Sequence, residues 1–196
     1  MTSVVIIGAG GHGREAAAIA AATFTSVVML DDDRAADSDG PVSADSIAGR
    51  PHVVALGDPT HRAALVARLG ECGPGARLVH PDATVGPRVV LGPGAIVAAG
   101  ARLTTDITTG AHTHLNPNVV VSHDCELGDF VSCSPGVVLS GGVRIGDRVL
   151  LGSGAVVLPG CRIGDDVVVG AGAVVTGDVS PGCTVVGVPA QPVHQR

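Results

Sequence analysis

The sequence has almost no aromatic residues. Of its 196 residues only Phe24 and Phe130 carry an aromatic ring, whereas hydrophobic residues make up 45% of the chain and glycine accounts for 29 positions. A core without rings must be filled by Val, Ala, Leu and Ile, which favours thin repeated layers over one bulky core. The length fits one domain or two small ones.

Lysine is absent as well, and all twelve basic residues are arginines. They face eighteen acidic residues, the net charge is −6, and no basic run occurs. This composition argues against nucleic-acid binding, which relies on positive surface and aromatic stacking. No apolar run approaches the roughly 20 residues of a membrane span, and the start lacks the charged n-region of a signal peptide. We therefore expect a cytoplasmic protein with neither a nucleic-acid nor a membrane partner.

The five cysteines are odd in number and form no CxxC pair. This spacing indicates neither a disulfide framework nor a zinc knuckle. We expect buried, reduced thiols. The cysteines are Cys72, Cys125, Cys133, Cys161 and Cys183.

The first part of the chain alternates between β-branched runs and helix-forming runs. Strands are predicted at 4–7, 27–30 and 53–56, and helices at 14–21 and 61–69. Thr60 is the expected N-cap of the second helix. This order predicts a small α/β domain over residues 1–78, with a parallel sheet equivalent to half of a Rossmann fold.

From Val79 to Val175 the sequence repeats every six residues. The first place of the hexad is occupied seventeen times, and fifteen of those residues are aliphatic. Glycine recurs in the second place, where we expect it to supply unusual turn angles. A hexapeptide period is the signature of a parallel β-helix, in which three hexads close one triangular coil. Residues 79–196 are therefore predicted to form such a helix of between five and six coils.

Two polar clusters interrupt these patterns. Gly8, Gly10 and Gly13 match GxGxxG after a strand and before a helix, a placement that can hold a pyrophosphate. Residues 31–33 are three aspartates after the second strand, where an acidic group would meet a ribose or base. The motif does not distinguish NAD from a nucleotide-sugar, and a purely structural glycine turn stays open.

The second cluster is the pair His123 and Asp124. Val121 and Cys125 occupy inward places of the hexad, so the pair is predicted to lie on an outward turn. An exposed histidine suits general-base chemistry, and the adjacent carboxylate could orient it. A plain surface pair is the alternative. A zinc site made by His112, His114 and His123 is a further alternative, although adjacent turn histidines are expected to be solvated.

Taken together, the motifs resemble the nucleotide-sugar acetyltransferase family over essentially the whole chain. The segments are GAGGHG, LDDD, ALGDPTHR, LVHPDATVGP, SHDCELGDF, SPGVVLSGGVRIG and the closing GVPA. The family includes sialic acid O-acetyltransferases and N-acetyltransferases of UDP-linked 4-amino-4,6-dideoxy sugars. The resemblance implies a homotrimer of left-handed β-helices with active sites between subunits. It also implies acetyl-CoA as the acyl donor, lying along the coils, and no metal.

The resemblance also implies roles for individual residues. His123 matches the catalytic base and Asp124 its acidic partner, which is commonly Glu in the family. Some members carry a histidine, thought to touch the thioester, where this chain has Ser132. The positions matching the substrate side are Gly8, Gly10, His12, Gly13, Asp31, Asp32 and Asn116, and those matching turns that face the CoA arm are Ser134, Gly141, Gly152 and Gly170.

The expected reaction is direct attack of a sugar amine on the thioester. His123 would accept the proton and backbone amides would stabilise the oxyanion. Cys125 and Cys133 are not expected to act as nucleophiles because they fall at core positions. The alternatives are O-acetylation of sialic acid or a related sugar, a metal-dependent trimer resembling carbonic anhydrase, and a non-catalytic nucleotide-sugar binder.

Overall fold

The structure, a computed structural model, describes residues 3–193. Its N-terminal part is a three-stranded parallel sheet in the order β2-β1-β3 with helices packed against it. Apolar residues of β1 and β3 are buried on both faces, as expected of a parallel sheet. The elements are β1 Ser3–Ile7, α1 Gly11–Ala21, β2 Ser26–Leu30, the 3-10 turn Ala35–Asp37, α2 Ala44–Ile47, β3 His52–Val54 and α3 Pro59–Leu69.

Helix α3 begins two residues earlier than the sequence indicated, and the expectation that Thr60 caps it was wrong. Asp58 is the N-cap, and its carboxylate accepts a hydrogen bond from the His61 amide at 2.8 Å. Pro59 then occupies the first helical turn, where its missing N–H costs nothing.

The remainder forms a parallel β-helix of about six coils, which confirms the predicted fold. Each strand pairs with the strand 18 residues further on, as in Leu115 with Cys133 and Val121 with Leu139. Three flat sheets result. Sheet 1 contains β4 Leu78–Val79, β7 Ile96–Val97, β10 His114–Leu115, β13 Ser132–Cys133, β16 Leu150–Leu151, β19 Val168–Val169, β21 Thr184–Val186 and β22 Gln191–Pro192.

The other two sheets complete the triangular cross-section. Sheet 2 contains β5 Thr84–Val85, β8 Arg102–Leu103, β11 Val120–Val121, β14 Val138–Leu139, β17 Val156–Val157 and β20 Val174–Val175. Sheet 3 contains β6 Val89–Val90, β9 Ile107–Thr109, β12 Glu126–Leu127, β15 Arg144–Ile145 and β18 Arg162–Ile163. Inward side chains from all three sheets form one continuous aliphatic core.

The turn glycines act differently from the expectation. Left-handed backbone angles occur at the fourth place of the hexad, where Asp124 has φ +60°, rather than at the second. The second-place glycines are needed for space instead, because a Cβ at Gly86 would overlap the Thr104 carbonyl of the next coil. Glycine here permits stacking of coils rather than unusual angles.

The N-terminal domain rests on the outer face of sheet 1. Ala16 and Ile19 of α1 share a buried cluster with Leu78 and Ile96, whose side chains point outward from the β-helix. Burying these apolar groups stabilises the contact by about 25 cal/mol per Å² removed from water. The contact places α1 beside the turns that lead from sheet 1 to sheet 2.

Candidate active site

His123 and Asp124 lie on a turn between sheet 2 and sheet 3, which we call the His123 corner and which comprises residues 122–125 and their equivalents every 18 residues. Val121 and Cys125 are fully buried, whereas the His123 and Asp124 side chains are 64% and 67% exposed. The structure therefore confirms the outward placement. Asp124 adopts a left-handed conformation that aspartate tolerates better than most residues.

The two side chains form a pair suited to proton transfer. His123 Nδ1 lies 2.7 Å from Asp124 Oδ2. Because a carboxylate can only accept, the neutral imidazole carries its proton on Nδ1 and exposes a lone pair on Nε2. A lone pair held in this way can accept a proton from a substrate.

Gly141, in the next coil of the same corner, lies directly against the His123 ring. A Cβ added there would come within 2.6 Å of Cε1 and 2.7 Å of Nε2. Within residues 3–193 no acceptor is hydrogen-bonded to the Gly141 amide. A free N–H beside a basic nitrogen is the arrangement that an oxyanion hole requires.

One coil towards the N-terminus, the corner carries an ion pair. Arg88 binds both carboxylate oxygens of Asp106, at 2.5 and 2.7 Å. The hydrogen bonds from Arg88 and then Thr105 lower the pKa of Asp106 to about 2. The charge of Asp106 is thus compensated by Arg88, and Asp124 is the carboxylate left to pair with His123.

The residues matched to the CoA arm are divided between two corners. Gly141 belongs to the His123 corner, whereas Ser134, Gly152 and Gly170 follow Asn116 at 18-residue intervals on the turns from sheet 1 to sheet 2. We call the latter the Asn116 corner. One side of the triangle, sheet 2, separates the two corners. Their assignment to CoA stays a prediction.

Asn116 borders a cavity of about 190 Å³ between α1 and the β-helix. Its amide nitrogen donates to the Cys133 carbonyl at 2.8 Å, which fixes the side chain. His12 and His80 also line the cavity, and Ile19 contributes to its largely apolar wall. His12 therefore lies with Asn116 rather than with the aspartates. His80 was missed in the sequence because nothing in its hexad distinguishes it.

The glycine loop and the aspartates form a second depression, of about 390 Å³, on the N-terminal sheet. Gly8, Asp31, Asp32 and Arg68 line it. A Cβ at Gly13 would overlap the Gly8 carbonyl, so the loop depends on glycine there. Gly10 is the N-cap of α1.

Asp31 and Asp32 are already engaged within the domain. Asp31 accepts hydrogen bonds from the amides of Ala9 at 2.6 Å and Asp33 at 2.8 Å. Burial acts to raise the pKa of Asp31, but these amides and that of Arg34 outweigh it and hold the pKa below its ordinary value. Asp32 accepts from Val42 and then Arg68, which lowers its pKa too. Both carboxylates are therefore charged and fix the shape of the loop.

The expectation that His112 and His114 are solvated was wrong. Their exposed fractions are 8% and 1%, because His112 stacks on Phe130 at 5.2 Å and α1 covers His114. Burial lowers the pKa of His112 to about 4 and the pKa of His114 well below its ordinary value. Residues 3–193 contain no group of three or more His, Cys, Asp or Glu side chains that could hold a metal ion. The ligand set of the metal alternative is therefore not assembled within one chain.

Ser132 does not lie at an open surface. It is 2% exposed, and its hydroxyl donates to the Gly57 carbonyl at 2.8 Å and accepts from Arg62 at 2.9 Å. Arg62 is completely buried and also donates to the carbonyls of His112 and Phe130. In this chain the position joins the N-terminal domain to the β-helix. Arg62 was missed because an arginine within a helix gives no sign of burial in the sequence.

The cysteines are free thiols, as expected. Cys125, Cys133 and Cys161 are buried, and burial raises the pKa of Cys133 to about 12. Such a thiol is not a nucleophile near neutral pH.

A hexapeptide β-helix with an exposed histidine–carboxylate pair at one corner defines an acyltransferase of the hexapeptide-repeat class. Two sequence families match: the bacterial transferase hexapeptide (six repeats) over residues 142–177 and the PglD N-terminal domain over residues 3–69. No protein of curated function matches the sequence significantly.

Solved structures are similar over the whole length. The acetyltransferase domain of PglB from Neisseria gonorrhoeae FA1090, also solved with acetyl coenzyme A, is 34% identical, with a TM-score of 0.89 and coverage of 98% of this chain and 100% of that one. PerB from Caulobacter crescentus, in complex with CoA and GDP-perosamine, is 35% identical, with a TM-score of 0.90 and coverage of 99% and 98%. WeeI from Acinetobacter baumannii AYE is 28% identical, with a TM-score of 0.89 and coverage of 98% and 100%.

The chain therefore belongs to the nucleotide-sugar acetyltransferase family, whose members are left-handed β-helix acyltransferases that use acetyl-CoA. Within residues 3–193, no helix has the length and apolar character needed to cross a bilayer.

Proposed function

We propose that this protein is an N-acetyltransferase that transfers the acetyl group of acetyl-CoA to a nucleotide-linked 4-amino-4,6-dideoxy sugar, with His123 as the general base. The observation that carries the proposal is the 2.7 Å contact between His123 Nδ1 and Asp124, which leaves Nε2 as an exposed base. The cytoplasmic location expected from the sequence stays a prediction.

In the mechanism, the sugar amine attacks the thioester carbonyl and passes its proton to His123 Nε2. Asp124 holds the imidazole in orientation and stabilises the positive charge that it gains. The Gly141 amide is placed to donate to the developing oxyanion. Collapse of the intermediate expels the CoA thiolate, which the imidazolium protonates. No covalent enzyme intermediate is needed because the thioester is already activated.

Two subunits are proposed to complete each site. Sheet 2 separates the His123 corner from the Asn116 corner and presents Val120, Val138, Val156 and Val174 outward. A homotrimer packed through this face brings the His123 corner of one subunit against the Asn116 corner of its neighbour. The acceptor sugar would then lie near Asn116 and His12, with CoA along the coils past Ser134, Gly152 and Gly170.

The domain assignment follows the same division. Residues 1–78 would bind the nucleotide through Gly8, Gly10, Gly13 and the acidic segment, and residues 79–196 would carry the transfer chemistry. Amine acetylation is preferred over O-acetylation because PerB is described as a GDP-perosamine N-acetyltransferase. GDP- and UDP-linked 4-amino-4,6-dideoxy sugars are the acceptors to test first.

The test is His123→Ala. Turnover of acetyl-CoA with the nucleotide-sugar should fall by about a thousandfold or more because base and orienting partner are lost together, while calorimetric binding of the nucleotide-sugar persists. His61→Ala is the matched control, since that histidine is 81% exposed on α3. Retained turnover in His123→Ala would overturn the mechanism, and ligand binding by wild type without acetyl-CoA consumption would favour a non-catalytic binder.

A further inference from the structure

A second histidine pair lies at the Asn116 corner, beneath α1. His12 Nε2 is 3.0 Å from His114 Nδ1, and the ring centroids are 5.0 Å apart. His114 is 1% exposed, whereas the His12 side chain retains 19% exposure and borders the cavity that Asn116 also lines. His114 therefore cannot reach a ligand in that cavity, but it touches a residue that can.

The position of His114 is unusual within its own column. The equivalent outward positions of sheet 1 one and two coils earlier are Ile96 and Leu78, which are apolar and packed under the same domain. His114 instead leaves Nε2 buried without a hydrogen-bond partner among residues 3–193. An unpaired buried polar atom destabilises a fold, so packing alone favours another Ile or Leu here. The cost points to a role for the contact with His12.

The surroundings fix which nitrogens carry protons. Burial lowers the pKa of both His12 and His114, so both rings are neutral near pH 7. His12 Nδ1 faces the carboxylate of Glu15 at 3.4 Å, which requires a proton on Nδ1. His12 Nε2 must then accept, and His114 Nδ1 donates to it. The opposite assignment would aim a lone pair at Glu15 and leave an N–H of His114 unpaired.

We propose that His114 is a positioning residue that fixes His12 as the Nδ1–H tautomer, so that His12 presents a hydrogen-bond donor to an oxygen of the nucleotide-sugar in the cavity beside Asn116. Glu15, whose side chain is 66% exposed, can yield its place on Nδ1 to the substrate. This inference rests on the proposed function for the identity of the ligand. The tautomer itself does not depend on it.

The test compares two substitutions at one position. His114→Asn keeps a side-chain N–H that can donate to His12, whereas His114→Leu fills the space without a donor. In His114→Leu the KM for the nucleotide-sugar should rise by about tenfold, the order of effect seen when a partner of a functional histidine is removed, with the KM for acetyl-CoA unchanged. His114→Asn should restore most of the loss. His112→Asn is the control because it replaces a buried histidine that does not contact His12.

Nitrogen-15 NMR of histidine-labelled protein supplies a readout that needs no activity. Wild type should show His12 protonated at Nδ1 only, and His114→Leu should show a mixture of tautomers. Combining His12→Ala with His114→Leu should raise the KM no further than His12→Ala alone. Equal effects of Leu and Asn, additive effects, or an Nε2–H form of His12 in wild type would overturn the proposal. A confirmed tautomer without turnover of any nucleotide-sugar would instead count against the proposed function.

Discussion

At the scale of single residues, the base at the His123 corner depends on an absent side chain in the next coil. Gly141 leaves room for the imidazole, and its backbone does not have the positive φ that would itself demand glycine. The glycine is therefore required by the ring above it and not by the turn.

We expect Gly141→Ala to lower kcat by about ten- to a hundredfold, because the new methyl group must push the ring away from its productive position. The fold should be retained, since the contact lies at an exposed corner. Gly177→Ala is the matched control, being two coils further along the same corner with nothing within 4 Å of an added Cβ. Steady-state kinetics and thermal melting of both variants check this, and equal losses of kcat would contradict it.

At the scale of elements, the loop between β1 and α1 contains two glycines with opposite requirements. A Cβ at Gly13 would overlap the Gly8 carbonyl, whereas a Cβ at Gly11 would meet nothing within 4 Å. Both lie in the first turn of α1.

Gly13→Ala should therefore displace α1 from β1 and weaken nucleotide-sugar binding by about tenfold or more, because the loop can no longer close. Gly11→Ala should bind normally and be slightly more stable, since alanine is the better helix former. Isothermal titration and thermal melting give both values. If the two variants behave alike, the glycine loop has no special role in binding.

The sequence predicted these elements to different degrees. The hexapeptide period settles which side chains point inward, because a β-strand alternates faces and the register never shifts, and it placed His123 correctly at an outward turn. It could not predict the burial of Arg62, His112 or His114. Those residues are covered by a different part of the chain, and no local pattern reports a contact between positions 50 or 100 residues apart.

At the scale of the whole molecule, the proposed trimer makes sheet 2 an interface. Val138→Arg should convert the trimer to monomers and remove activity, because it would bury unpaired charges where copies meet. Thr108→Arg, on the exposed face of sheet 3, should change neither property. Sedimentation velocity and turnover assays check both variants. A monomeric but active Val138→Arg would show that one subunit suffices.

Stability should also depend on pH across the whole protein. The folded state holds the pKa of His112 near 4 against an ordinary value of 6.5, and that of His114 is lowered as well. Below pH 6.5 the unfolded chain takes up protons that the folded chain refuses. Each such histidine should therefore cost about 1.4 kcal/mol per pH unit as the pH falls towards 4. Urea unfolding at several pH values should show this slope, and His112→Asn should flatten it; an unchanged slope would contradict the assignment.

The regular pairing of strands 18 residues apart also limits how this protein can change in length. Deleting a single hexad would turn every later residue by one face, so that charged positions of sheet 3 would fall where valines now meet. Removing or duplicating a whole coil would keep every face aligned and alter only the height of the prism. The coils beyond the catalytic pair thus form a stack whose evolution proceeds in complete turns, and its height sets how long a pantetheine arm the surface can support.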